Sequence, residues 1–330
     1  MSLKKYLIDK KEAIRDKEVK NRLIDFKKQK EFAISIIGPR RAGKTFFLFN
    51  IIKKFNLKDE DFIFIDFGDD EIKGIERNEI RKLISYHYEI YGKEPEYIFL
   101  DEIQNLEDWQ SFVYSLVEKK RYYIFITGSS SKLLSREIST QLRGRSLNVI
   151  VFPFSFKEYL LINEIEIKNF YSSLEEAKIK NLLLKYLKNG GFPQVVLNKI
   201  DIKEFSKEYL NVVLYKDLIE RFKIENVDAA KFLLLSVLQS YSKEFSLNKI
   251  YNQLKQKIEV SNKTLYKYFS YLEEIFFSFP LYKFSFSYKK SLLTIPKIYV
   301  NDCGIAASKF EDIGRLMENL VFLELKKKEL

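Results

Sequence analysis

The first half of the chain alternates between two hydrophobic rhythms. Phe32 to Ile37, Asp61 to Asp66, Glu96 to Leu100, Arg121 to Ile126 and Leu147 to Phe152 are short runs with apolar residues at nearly consecutive positions. Between them lie longer stretches that read as helices: one with Phe46, Phe47, Leu48, Ile51, Ile52 and Phe55 on its apolar face, Asn78 to Tyr91, and Leu106 to Lys120 with Trp109. An uninterrupted apolar run is buried on both faces, so strands of this kind alternating with helices predict a parallel sheet covered on both sides. Ahead of them, Met1 to Leu23 mixes charge with sparse apolar residues and reads as an amphipathic helix.

From Phe154 the texture changes. Phe156 to Leu161, Leu174 to Leu187 and Ile202 to Arg221 read as helices, broken by the turn Asn189-Gly190-Gly191-Phe192-Pro193. Asp228 to Ser242, Leu247 to Lys257 and Ser261 to Ile275 form a second helical group, with Ser246 and Ser261 as N-cap candidates. Phe276 to Phe286 and Lys297 to Asn301 then read as short strands, and three helices followed by a hairpin is the outline of a winged helix. Ile305 to Leu330 begins another helical unit. The expected organisation is an α/β core over residues 1–153, a helical lid over 154–224, a winged-helix domain over 225–300 and, over 301–330, the start of an incomplete C-terminal domain.

The junction between the first strand and its helix carries the chemistry. Gly38-Pro39-Arg40-Arg41-Ala42-Gly43-Lys44-Thr45 matches the phosphate-binding loop G-x-x-x-x-G-K-[ST], and it follows a strand and opens a helix as that loop must. The glycines let the backbone curl until successive N–H groups point into one concavity, and the helix N-terminus adds partial positive charge. Residues Gly38 through Phe46 are therefore the expected nucleotide-binding set, with Lys44 reaching the β- and γ-phosphates and Thr45 a ligand for Mg²⁺. The third strand runs into Asp101 and Glu102; the first can hold Mg²⁺ and the second can orient and deprotonate an attacking water. The fourth strand ends in Thr127, a γ-phosphate sensor candidate if that strand lies between the phosphate-loop strand and the acidic strand, with Ser129 as second choice. Arg136, Arg143 and Arg145 follow the fourth strand and are candidates to stabilise the transferring phosphoryl group; Arg40 and Arg41, at the loop tip, are poorer ones.

Composition narrows the setting. A chain of 330 residues with 46% hydrophobic and 31% charged residues can bury a core and is long enough for more than one domain. Its net charge of +11 permits an anionic partner, and equally describes a lysine-rich surface with no such role. The single cysteine, Cys303, excludes an internal disulfide and fits a reducing cytoplasm; the single histidine, His87, excludes a histidine-based metal cluster and is expected to be a solvated helix residue. No run approaches transmembrane length, and no membrane partner is expected.

GPRRAGKT, YIFLDEIQNLEDWQ, FITGSSSKLLS, LRGRSLNVIVFPFSFKEYL and GGFPQVV, in that order, resemble the archaeal and bacterial AAA-type P-loop ATPases related to the signalling ATPases. The likeness runs from about Phe32 to the end, where IYVNDCGIAAS and DIGRLMENLVFLELKKKEL are similar to the join with a restriction-endonuclease-like domain. It implies ATP and Mg²⁺ bound by Gly43, Lys44, Thr45 and Asp101, hydrolysis assisted by Glu102, and a cleft closed by the lid. Members with the nuclease-like domain continue to further carboxylates and a lysine; here the sequence stops at Leu330 with Glu318 as one isolated acid, so nuclease activity is not expected.

Two uses of such an engine remain open. ATP state could gate binding of double-stranded DNA, with Asn262, Lys263 and Lys267 on the helix that enters the groove and Tyr282, Lys283, Tyr288, Lys289 and Lys290 forming a basic wing. Alternatively the protein is a nucleotide-state switch or scaffold, acting on a protein partner or by self-association, with little hydrolysis.

Overall fold

A computed structural model describes residues 2–75, 77–128, 142 and 144–328. The chain divides into two compact units, Met1–Gly38 with Gly43–Val151, and Pro39–Ala42 with Phe152–Leu330.

In the first unit, β1 (Ala33–Ile37), β2 (Phe62–Asp66), β3 (Tyr97–Asp101), β4 (Tyr123–Thr127) and β5 (Ser146–Ile150) pair in the order β2-β3-β4-β1-β5. All four pairings are parallel. Every residue of β1 and β3 is buried, as strands covered on both faces require. The fifth run departs from expectation. β5 is exposed at Leu147 and Asn148 because it ends the sheet and pairs on one side only, and it stops short of Val151 and Phe152.

The helices α1 (Leu3–Asp16), α2 (Lys44–Lys54), α3 (Arg77–Arg81), α4 (Leu83–Tyr91) and α5 (Trp109–Glu118) accompany the sheet. The N-terminal helix is shorter than its charge pattern predicts. It buries Leu3, Tyr6, Leu7 and Ile14 and ends where Lys17 turns extended. It stitches to the end of β2 through Lys10–Asp69 at 2.6 Å and a Tyr6 hydroxyl 3.3 Å from the Asp66 carbonyl. The single helix expected over 78–91 is two, α3 and α4, divided at Lys82. His87 is not solvated. It is fully buried, its Nδ1 lies 3.0 Å from the Lys93 carbonyl oxygen, and burial pushes its pKa down to about 4, so the ring is neutral.

The second unit contains α6 (Phe156–Ile162), α7 (Ser173–Asn189), α8 (Pro193–Asn198), α9 (Ile202–Val212), a π-helical segment (Val213–Glu220) and α10 (Val227–Gln239). It continues with β6 (Lys243–Glu244), α11 (Leu247–Leu254), α12 (Asn262–Glu274), β7 (Ser278–Leu281), α13 (Tyr288–Leu292), β8 (Lys297–Val300), α14 (Cys303–Ala307) and α15 (Ile313–Lys328). The three helices α10 to α12 and two antiparallel strands expected from the sequence are present. A third strand, β6, joins them in the order β6-β8-β7. The strand expected over 276–286 is only four residues long. Phe284 and Phe286 beyond it are 80% and 100% exposed, and Lys289 and Lys290 lie on a short helix rather than on a β-wing. One continuous hydrophobic cluster joins Tyr159, Phe192, Leu233, Phe269, Ile298, Ile305 and Leu320. Among the described residues no helix is long and apolar enough to cross a membrane.

Candidate functional site

The candidate site starts where β1 ends. Gly38 takes φ +139°, and a Cβ there would stand 2.2 Å from the Val151 carbonyl oxygen, so no side chain fits. Gly43, at φ +92°, turns the chain into α2 as its N-cap. Lys44, the first residue of that helix, is buried, and its Nζ donates to the Gly38 carbonyl at 3.2 Å.

Parallel order brings the other groups together. β4 lies between β1 and β3, the arrangement on which a role for Thr127 depends. Asp101 ends β3 and Thr127 ends β4, and both are buried. The Thr127 hydroxyl donates to Asp101 Oδ1 and accepts the Glu102 backbone N–H at 3.2 Å. Thr45 also hydrogen-bonds the Asp101 carboxylate. Burial raises the Asp101 pKa to about 6; the Thr127 and Thr45 bonds oppose the rise, and the nearby Asp66 and Glu102 charges add to it. Hydroxyl and carboxylate oxygens side by side are the donor set a hard divalent cation takes, so Thr45 and Asp101 fit Mg²⁺. Glu102 departs from the strand in the left-handed region, φ +47°, an uncommon conformation for a residue with a Cβ. Its carboxylate accepts a hydrogen bond from the Gln104 side-chain amide, a partner the sequence reading missed although it stands two residues away.

The loop tip belongs with the second unit. Ala42 N–H donates to Pro39 O at 3.3 Å, and Arg41 takes φ +61°. Arg40 makes a bidentate pair with Asp217, and the Arg41 guanidinium lies 5.6 Å from the centre of the Phe205 ring. Asp217 escaped the sequence reading because no local pattern links it to a residue far away in the chain.

The remaining candidates fall elsewhere. Phe46 is half exposed and packs edge-on against Phe49. Arg145 forms an ion pair with Glu118 and lies over the Tyr114 ring, so its guanidinium is engaged on α5. Ser129, Arg136 and Arg143 lie outside the described residues. In the second unit, Lys263 and Lys267 are exposed one helical turn apart on α12, and Lys289 and Lys290 are exposed on α13. Asn262 Nδ2 donates to Asn248 Oδ1 at 3.2 Å.

Residues 30–160 match the family model for an AAA domain, and residues 180–313 match a domain of unknown function, DUF8612. The uncharacterized protein MJ1544 of Methanocaldococcus jannaschii is 38% identical over 327 residues, which cover 98% of this chain and 73% of that protein. The chain belongs to the AAA-type P-loop ATPase family. An uncharacterized protein of Haemophilus influenzae is 29% identical over 314 residues, covering 92% of this chain and 76% of that protein. The chain thus spans about three quarters of the length of these relatives. Among solved structures, the Walker-type ATPase PABY2304 of Pyrococcus abyssi aligns with a TM-score of 0.51 at 15% identity, covering 89% of this chain and 99% of that one, and shares its fold. The family expected from GPRRAGKT and YIFLDEIQ is the family found, and the parallel P-loop core expected with it is present. Family membership carries nucleotide binding as a general property.

Proposed function

We propose that this chain hydrolyses ATP with Mg²⁺ and couples its nucleotide state to a conformational change. The observation that carries the reading is the buried pair Asp101–Thr127, hydrogen-bonded to each other, with Asp101 also bonded to the half-buried Thr45 beside a glycine-flanked loop and Glu102 next in sequence. In the proposed reaction water attacks the γ-phosphate in line. The loop N–H groups and the Lys44 ammonium neutralise charge on the β- and γ-oxygens. Glu102 orients the water and accepts its proton. Thr127 holds the start of the Glu102 turn through that residue's N–H, and with Thr45 it holds the Asp101 carboxylate. Mg²⁺, held by Thr45 and Asp101 when bound, would supply further neutralisation of the phosphate oxygens.

Around this core we assign residues 154–224 as a helical lid and 225–300 as a winged helix. A second reading, duplex DNA as the gated partner, is favoured by the exposed lysines Lys263, Lys267, Lys289 and Lys290. It is opposed by Glu225, Asp228 and Glu259, which line an open surface hollow at the first turn of α12 and whose carboxylates repel a phosphate backbone. A protein partner is the alternative.

ATP turnover with and without duplex DNA, for the wild type, Lys44→Ala and Glu102→Gln, tests both readings. Magnesium-dependent turnover lost in both variants supports the ATPase. DNA-stimulated turnover with salt-sensitive binding supports the DNA reading; indifference to DNA with no retardation at low salt removes it. Wild-type turnover in Glu102→Gln would remove that residue's role.

A further inference from the structure

Arg40 sits among loop residues whose side chains ordinarily point away from the phosphates, yet its guanidinium is not left to solvent. Its Nε lies 2.9 Å from Asp217 Oδ2 and 3.1 Å from Oδ1, and Nη2 lies 2.7 Å from Oδ1. The Asp217 side chain is 8% exposed and that of Arg40 29%. A two-pronged, charge-assisted pair of this kind fixes the orientation of the guanidinium as well as its distance. The acid lies within the π-helical segment Val213–Glu220. π-helical turns are rare and concentrate at functional sites. Twelve residues earlier along the same run of chain, the Phe205 ring carries the Arg41 guanidinium and stacks on Tyr209 at 5.8 Å. Two consecutive arginines of the phosphate loop are therefore held by residues 205–217, one by an ion pair and one by a cation–π contact.

We propose that Asp217 is a positioning residue for nucleotide binding: through Arg40 it sets the conformation of residues 39–42, and so the curl of the loop that receives the phosphates. The inference rests on the nucleotide-binding reading above. Peptide bonds join these four residues to Gly38 and Gly43. Where the tip is held therefore constrains where the loop N–H groups point, and a loop already curled loses less freedom when phosphate arrives. The link also runs in reverse. A nucleotide that draws on the loop tip pulls on the π-helical segment by the same free energy, which gives nucleotide state a route into the second unit.

The test measures the affinity of full-length protein for a fluorescent ATP analogue with Mg²⁺, together with thermal unfolding, KM and kcat. The variants are Asp217→Asn, Arg40→Lys, the exchange Arg40→Asp with Asp217→Arg, and Lys44→Ala as control. Asp217→Asn and Arg40→Lys are expected to weaken nucleotide binding about tenfold, corresponding to ~1.4 kcal/mol. KM should rise more than kcat falls, the melting curve should stay native, and the exchange should regain most of the affinity. Wild-type affinity in Asp217→Asn, with Lys44→Ala unable to bind, overturns the role of Asp217 alone. A loss that follows the melting curve, or that the exchange does not recover, reduces the pair to a structural contact and also overturns it. Wild-type protein that binds no nucleotide overturns the proposed function, and this inference with it.

Discussion

At the carboxyl edge of the first unit's sheet, charge is buried. Asp101 is 1% exposed and hydrogen-bonded on more than one side, and its carboxyl is pushed up to about 6 by the loss of water. On α12 and α13 of the second unit the basic groups Lys263, Lys267, Lys289 and Lys290 stand in solvent. A group held in low dielectric by fixed partners acts more strongly on a charge brought beside it than it would in water. A solvated lysine acts through the summed field, weakly, additively and subject to screening by salt. The contrast teaches where specificity can reside: the first region can recognise one chemical group, the second only a sign of charge.

The predictions test that contrast from its strong end to its weak one. Lys44→Ala should abolish measurable nucleotide binding, a loss of about 100-fold or more for a charge-assisted contact removed from a buried site. Equilibrium titration with a labelled adenine nucleotide in magnesium buffer checks this, and binding within a few-fold of wild type would break the comparison at its stronger pole. Glu102→Gln should keep nucleotide affinity while lowering turnover by about 10²–10⁴-fold, the usual contribution of a positioned base. Single-turnover kinetics separate the two effects.

Next comes a perturbed acid of α12. Burial, with Glu274 alongside, raises the Glu273 pKa to about 7. Its folded-state pKa stands above the unfolded one, so its contribution to stability is fully present below about 4.5 and is lost as pH rises through about 7. Glu273→Gln should therefore gain stability over wild type at pH 8, by at most about 3 kcal/mol, and lose the advantage near pH 4.5. Denaturant titrations at the two pH values decide it; an advantage independent of pH would mean the effect is not ionisation. Smallest, Lys263→Ala with Lys267→Ala should reduce the salt slope of any duplex-DNA binding by about 0.9 for each phosphate contact removed, equally for all sequences. An unchanged slope would separate α12 from any nucleic-acid role.

How much of this was legible in sequence follows from the range of each interaction. Gly38 and Gly43 through Thr45 announce themselves because one curled loop is built from adjacent residues, and Asp101-Glu102 because a charge ending an apolar run is conspicuous. The candidacy of Thr127 is conditional on strand order, which composition does not encode; the order observed meets that condition, and the hydrogen bond from Thr127 to Asp101 has no signal in the sequence. His87 misled because one polar residue on a helix says nothing of what covers it. The break at Asn189 to Pro193 is where the sequence places it, but the short helix α8 that follows has no expectation attached, although Pro193 is a helix-start signal, since proline needs no N–H in a first turn. Asp217 had no signal at all. Its partner is 177 residues away, and a single acid on an apparently regular helix looks like solvated surface.

The second unit's shared interior has a practical side. Its cluster recruits Ile305, Leu316 and Leu320 from the final helices alongside Tyr159 and Leu187 from the first ones. Ending the polypeptide before Cys303 would leave α7 and β8 with bare apolar faces, and the remnant should aggregate rather than survive as a smaller module. Dissecting this half by truncation is therefore a poor route to assigning tasks to its parts. Point substitutions, which leave the common interior filled, are the instrument this architecture permits.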